Sequence, residues 1–152
     1  MTGSKHARAS REAALTVSRP VEEAFLLFTP DGEKSWAGDW DPDYVWPASG
    51  ETTEGMVFTT RWRGHETVWV LTHLDRGHHH VEYHRLTPGW FIARVVVRCQ
   101  QACLSATRAT VRYDYTALSA DGDDLVRSFT QEEHERMIAE WEREILRYLA
   151  GV

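Results

Sequence analysis

Hydrophobic residues follow two periods along the chain. From residue 12 to residue 118 they alternate with polar ones in short runs, the repeat of strands with one buried face. After Thr130 they recur every three to four residues, the repeat of an amphipathic helix. The alternation predicts strands over 12–18, 44–46, 56–62, 66–74, 80–86, 90–100 and 107–118. Arg63-Gly64-His65, Asp75-Arg76-Gly77 and Pro88-Gly89 separate them, and Asp121-Gly122 reads as a turn after the last. Links this short cannot make parallel crossovers, so the strands form an antiparallel meander.

Helices interrupt and close this series. Val21, Ala24, Phe25 and Phe28 share one face of a helix that starts at Pro20, with Glu22 and Glu23 in its first turn. Thr29-Pro30 ends it and caps a second short helix running through Trp36. Thr130-Gln131-Glu132-Glu133 is a capping box. Behind it His134, Met137, Ile138, Trp141, Ile145, Tyr148 and Leu149 line one face, and Gly151 ends the helix. At about 30 Å, this helix is the one element long enough to cover the sheet's apolar side. Alternation turns Phe91, Ala93, Val95, Val97 and Cys99 inward, with Ala109, Val111, Tyr113 and Tyr115. Phe58, Thr60 and Trp62 are the inward choice for the 56–62 run, and Trp69 fits either face.

Three stretches now invite comparison: Pro20-Val21-Glu22-Glu23-Ala24-Phe25, Phe28-Thr29-Pro30-Asp31-Gly32-Glu33 and Trp36-Ala37-Gly38-Asp39-Trp40-Asp41-Pro42. They resemble bacterial members of the START/Bet v 1-like (SRPBCC) superfamily. The later order of Gly55-x-Val57-Phe58-x-Thr60, Trp69, Tyr83, Pro88-Gly89, the 107–118 run and the terminal helix is similar too. The resemblance implies one domain over 11–152, preceded by a flexible N-terminus over 1–10. It implies an α+β helix-grip fold, a curved seven-stranded antiparallel sheet wrapped around a long C-terminal helix, with two short helices after the first strand. Such folds often enclose an apolar cavity between sheet and helix. Members bind lipids, sterols, polyketides or plant hormones; some are cyclases or dehydratases, and others regulate a chaperone ATPase. A fold says little about chemistry, and no motif here matches a catalytic subfamily. A Rieske-type Cys/His set is absent, so no oxygenase function is implied and no cofactor is expected.

Composition narrows the partners. Lys plus Arg is 17 against 23 for Asp plus Glu, a formal charge of −6, and no basic stripe suited to nucleic acid is visible. Arg94, Arg98, Arg108 and Arg112 sit singly along strands and read as a solvated face. No apolar run approaches the roughly 20 residues of a spanning helix, and the first eleven residues lack a signal peptide's apolar stretch. A cytoplasmic protein is expected. Cys99 and Cys103 match neither a zinc set nor a redox CxxC and read as two reduced, partly buried thiols. His78-His79-His80 invites a metal, but consecutive residues of an extended segment face opposite ways, so a solvated turn and no metal are expected. Neither a Gly-x-Ser-x-Gly turn nor a phosphate-binding glycine loop occurs.

Seven tryptophans, five between Trp36 and Trp69, exceed what a minimal core requires. The candidate ligand wall is Trp36 and Trp40 from the helical segment, Phe58 and Trp62, Tyr83 and Phe91, and Tyr113 and Tyr115 from the strands. His134, Met137 and Trp141 from the last helix complete it. The competing reading is rings that only fill the core. His134 can orient a ligand carbonyl or move a proton, or it can simply bond backbone or water. Arg85 shares the phase of Val81 and Tyr83 and would anchor an anionic group if inward, but an exposed strand end is expected. The expected function is binding of a small apolar or aromatic molecule of lipid, sterol or polyketide type. The alternatives are a polyketide-cyclase- or dehydratase-like enzyme, and an interaction module like the chaperone-ATPase activators. The last would show a solid core and an outer patch at Trp40, Trp46 or Trp62. A protein partner is not otherwise indicated.

Overall fold

The computed structural model describes residues 3–151. Strand β1 (Arg8–Val17) leads into two short helices, α1 (Val21–Leu26) and α2 (Pro30–Glu33). Six strands follow: β2 (Asp43–Trp46), β3 (Val57–Trp62), β4 (His65–Asp75), β5 (His80–Thr87), β6 (Phe91–Cys103) and β7 (Ala106–Ala117). Two helices close the chain, α3 (Ala120–Ser128) and α4 (Gln131–Leu149). The strands form one antiparallel sheet in the order β1-β7-β6-β5-β4-β3-β2. This is the meander that the short links require, with the first strand added beside the last. The architecture is a helix-grip fold, a seven-stranded antiparallel sheet with the long last helix on its inner face.

Hydrophobic burial explains the layering. β5 and β7 alternate strictly between buried and more accessible residues, and α4 buries His134, Ile138 and Ile145 against the sheet's inner face. Thr130 caps α4 by accepting from the Glu133 amide, and Gln131 donates to the Glu12 carbonyl, so the helix start is tied to β1. Further along, the Glu142 carboxylate accepts from the Thr16 amide at 2.7 Å. Among the described residues, no helix is long and apolar enough to cross a membrane.

Four expectations need correction. Arg8, Ala9 and Ser10, placed in a flexible N-terminus, pair with Thr116, Tyr115 and Asp114; the open edge of β7 extends β1 backwards. Asp121-Gly122 begins a helix, α3, because the Ser119 hydroxyl accepts from the Gly122 amide as an N-cap. Tyr148 lies exposed in the last turn of α4 beyond the sheet's cover. Of the two thiols, Cys99 is buried, with its pKa pushed up to about 12 by desolvation, whereas Cys103 is exposed at the β6 bulge.

Candidate functional site

A cavity of about 370 Å³ opens between the short-helix segment, the inner sheet face and α4. The chain after α2 supplies Trp36 and Trp40, the sheet supplies Trp62, Trp69, Tyr83 and Tyr113, and α4 supplies Met137 and Trp141. Cross-strand register explains the space. Trp69 lies opposite Arg85, Arg85 opposite Ala93 and Ala93 opposite Tyr115, so the row narrows to a methyl group beside Arg85. A second chamber of about 230 Å³ adjoins it, lined by Phe91, Tyr115, Phe129 and His134. Trp62, Arg85, Tyr113 and Met137 belong to both walls and form the partition.

The two short helices are locked over this space by hydrogen bonds from aromatic side chains. Trp36 Nε1 donates to the Leu27 carbonyl and Trp40 Nε1 to the Pro30 carbonyl, both at 2.8 Å. Tyr83 Oη donates to the Phe28 carbonyl at 2.7 Å, joining the helical segment to β5. Trp36 also lies 5.6 Å from Trp141 of α4, centroid to centroid.

Of the eleven residues expected in the wall, ten line one chamber or the other. Phe58 lines neither chamber. It is fully buried, with its ring stacked on Trp69 at 5.7 Å, and it supports the wall from behind. Trp69, left open in direction, takes the wall position instead. Trp40 and Trp62 face the chambers rather than forming an outer patch, and Trp46 is exposed beside Val45.

Burial perturbs two charged residues of the wall, Arg85 and Glu33. Arg85, expected at an exposed strand end, is only 8% exposed because β5 continues to Thr87 and keeps it in phase with Tyr83. Its Nε and one terminal nitrogen are buried without a hydrogen-bond partner. Around the guanidinium stand Trp69, Phe91 and Trp62, with ring centroids 5.0, 5.1 and 5.5 Å from Cζ. Burial lowers its pKa, an effect that nearby Tyr113 and Tyr115 oppose. A buried cation without a carboxylate is costly to maintain, and the ring faces offset only part of that cost.

Glu33, the last residue of α2, is part-buried and lines the main cavity. Desolvation raises its pKa well above the ordinary carboxylate value. Burial of the Tyr83 hydroxyl, and secondarily the Glu33 charge, raises the pKa of Tyr83, and Tyr113 is pushed up to about 12, mainly by burial. Glu33 was not among the residues expected in the wall; its spacing of three from Trp36 was the available signal. The raised pKa has a stability consequence. An acid whose pKa rises on folding favours the fold below its unfolded pKa and loses that contribution as pH climbs through the folded value. Glu33→Gln is therefore expected to stabilise the protein at pH 8 relative to wild type, with the difference closing below about pH 4. Urea melts at both pH values check this; an equal effect at each would contradict the buried carboxyl.

His134 is fixed rather than free. Its Nε2 lies 3.1 Å from the Val111 carbonyl and so donates to it, leaving Nδ1 buried without a partner. Burial lowers its pKa, which keeps the imidazole neutral with a lone pair on Nδ1. Asp39, Arg61 and Glu140 are exposed lining residues and mark the mouth.

These features place an aromatic-lined cavity, with a buried cation in its wall, under the long helix of a helix-grip fold. The chain superposes on an aromatase/cyclase from Streptomyces sp. R1128 with a TM-score of 0.65, at 12% identity over 94% of this chain and 96% of that one. For norcoclaurine synthase from Thalictrum flavum the TM-score is 0.69, at 10% identity over 96% and 98%. A third neighbour, DynU16 from the dynemicin biosynthetic locus, gives 0.62 at 17% identity, over 93% of this chain and 47% of that longer one. No family model matches the sequence, and no curated protein matches it. Identities this low establish the fold and leave the chemistry to the residues of this site.

Proposed function

We propose that the chain binds a small aromatic molecule in the main cavity, with a phenol or carbonyl oxygen held at Arg85. The observation that carries this reading is the buried guanidinium with unsatisfied N–H groups among the aromatic rings of the wall. Unpaired buried donors cost free energy until a ligand acceptor meets them, and a charge-assisted bond to an oxygen contributes about 1.5–3 kcal/mol. At the mouth Asp39 and Glu140 outnumber Arg61, a balance that disfavours entry of a permanent anion. A neutral ligand that gains negative charge on its oxygen once inside suits both features.

A second reading, cyclase- or dehydratase-like catalysis, is favoured by Glu33. With its pKa raised by desolvation it keeps a proton to higher pH than an ordinary carboxyl and can exchange it with carbon or oxygen of the guest, while Arg85 stabilises the enolate oxygen that forms. The aromatase/cyclase and synthase neighbours support this possibility at the level of fold.

The test uses 7-hydroxycoumarin, whose phenol and phenolate absorb at different wavelengths. Binding is expected to lower the pH at which the probe ionises, and Arg85→Met is expected to abolish that shift and weaken binding at least tenfold. Equal ionisation of free and bound probe, or equal binding by both proteins, would overturn the assignment. Glu33→Gln discriminates the readings: under catalysis it stops deuterium exchange at the α-carbon of a probe ketone such as 2-tetralone while leaving coumarin binding intact.

A further inference from the structure

On the other side of the sheet, away from the cavity, a β-bulge brings together residues that ordinary pairing would separate. Leu71 lies opposite Tyr83, but it is His73, not Thr72, that lies opposite Glu82. The extra residue turns His73 to the outer face, where Glu82 and His80 already point by alternation with the buried Val81 and Tyr83. The rings of His73 and His80 then lie 5.2 Å apart, centroid to centroid. One ligand atom from each of His73, His80 and Glu82 lies within 4.8 Å of the other two.

We propose that His73, His80 and Glu82 form a binding site for one divalent transition-metal ion, with Zn²⁺ the best match to two imidazoles and a carboxylate. Donors at zinc bond lengths stand about 3.4 Å apart in a tetrahedron, so a small rotation of the exposed His73 closes the set. His80 is already poised. Its Nε2 is buried, lies 3.0 Å from Glu82 Oε2 and lacks a hydrogen-bond partner. Arg94 holds the other carboxylate oxygen through Nε at 2.7 Å and a terminal nitrogen at 2.5 Å, which fixes Glu82 as an outer-shell partner would. Glu54 Oε1, 3.7 Å from His73 Nδ1, stands next in line as a fourth donor, with water as the alternative. Arg94 and Arg98 oppose the incoming charge, while Glu82 and Glu54 favour it. The three consecutive histidines do not act together; only His80 takes part, in company with a residue seven positions earlier. The site ties β4 to β5 across the bulge, so metal binding would clasp the two strands.

The experiment uses the full chain without an affinity tag and zinc chloride in competition with a chromogenic chelator. One zinc per chain is expected, together with a rise in melting temperature. His73→Ala and His80→Ala are each expected to weaken binding by more than about 100-fold, beyond the roughly 10–100-fold that outer-shell losses cause. His78→Ala is expected to leave it unchanged. Should His80→Ala fold poorly, the exposed His73→Ala carries the test alone. Absence of stoichiometric zinc, or binding that survives His73→Ala, would overturn the site and assign the metal to adventitious imidazoles. Failure here leaves the Arg85 reading untouched, because the two sites lie on opposite faces.

Discussion

Arg85→Met is expected to make the empty protein more stable, by about 1–4 kcal/mol, while removing its grip on a ligand oxygen. The native side chain is almost fully buried, forms no ion pair among the described residues and leaves two nitrogens unsatisfied. The three surrounding rings return part of the desolvation cost, about 0.5–2 kcal/mol for a well-placed contact. Methionine keeps an unbranched apolar stem and packs against the same rings without a charge to solvate. Urea denaturation of both proteins without ligand measures the difference. A methionine variant that unfolds at lower urea would mean that the ring contacts outweigh the burial cost, and the arginine would then be a structural residue. Higher stability with lost binding is the pattern of a group kept for function.

Gly122→Ala is expected to cost about 3 kcal/mol or more, enough to leave much of the chain unfolded at 37 °C if its stability is ordinary. A β-carbon there would sit 1.9 Å from the Trp90 carbonyl oxygen and 2.9 Å from its carbon. That carbonyl cannot easily retreat, since it accepts from the Leu118 amide at the end of β7. Gly32 shows the same arrangement, with a β-carbon 1.8 Å from the Leu26 carbonyl oxygen. Both glycines stand three residues after a hydroxyl that caps a helix, Thr29 for one and Ser119 for the other. The capping turn draws each glycine onto a carbonyl of the preceding segment, so the requirement is for space rather than unusual dihedral angles. Thermal melts of Gly122→Ala decide the point; an unchanged midpoint would show that the close approach does not exist.

This shared motif also shows where the sequence was under-read. Thr29-Pro30-Asp31-Gly32 and Ser119-Ala120-Asp121-Gly122 are the same device, yet only the first was taken as a helix start. Proline at the first helical position made one plain, and an Asp-Gly pair after a strand disguised the other. Period-two alternation settled which face each long strand turns inward, because sheet geometry allows a side chain only two directions. It could not give depth, so Phe58 was assigned to the wall when it lies behind it. For Arg85 the phase was correct and the ordinary habit of arginine was wrong. A buried, unpaired charge of this kind breaks the usual rule for strands, and such departures cluster at functional or strained sites. The His73 cluster was out of reach, since a bulge is invisible to a rule of strict alternation.

The indole nitrogens of Trp36, Trp40 and Trp69 are all spent inside the protein, on the Leu27 carbonyl, the Pro30 carbonyl and the Thr60 hydroxyl. Those three walls therefore offer a guest flat carbon surface and no donors. Stacking on such surface is tolerant of where a ring lies and how many rings there are. A molecule fastened at a single oxygen could swing about that point at little cost, as a door turns on one hinge. Selection would then be strict about the oxygen and lenient about the skeleton, and a series of ring systems sharing one phenol or ketone would bind with similar strength.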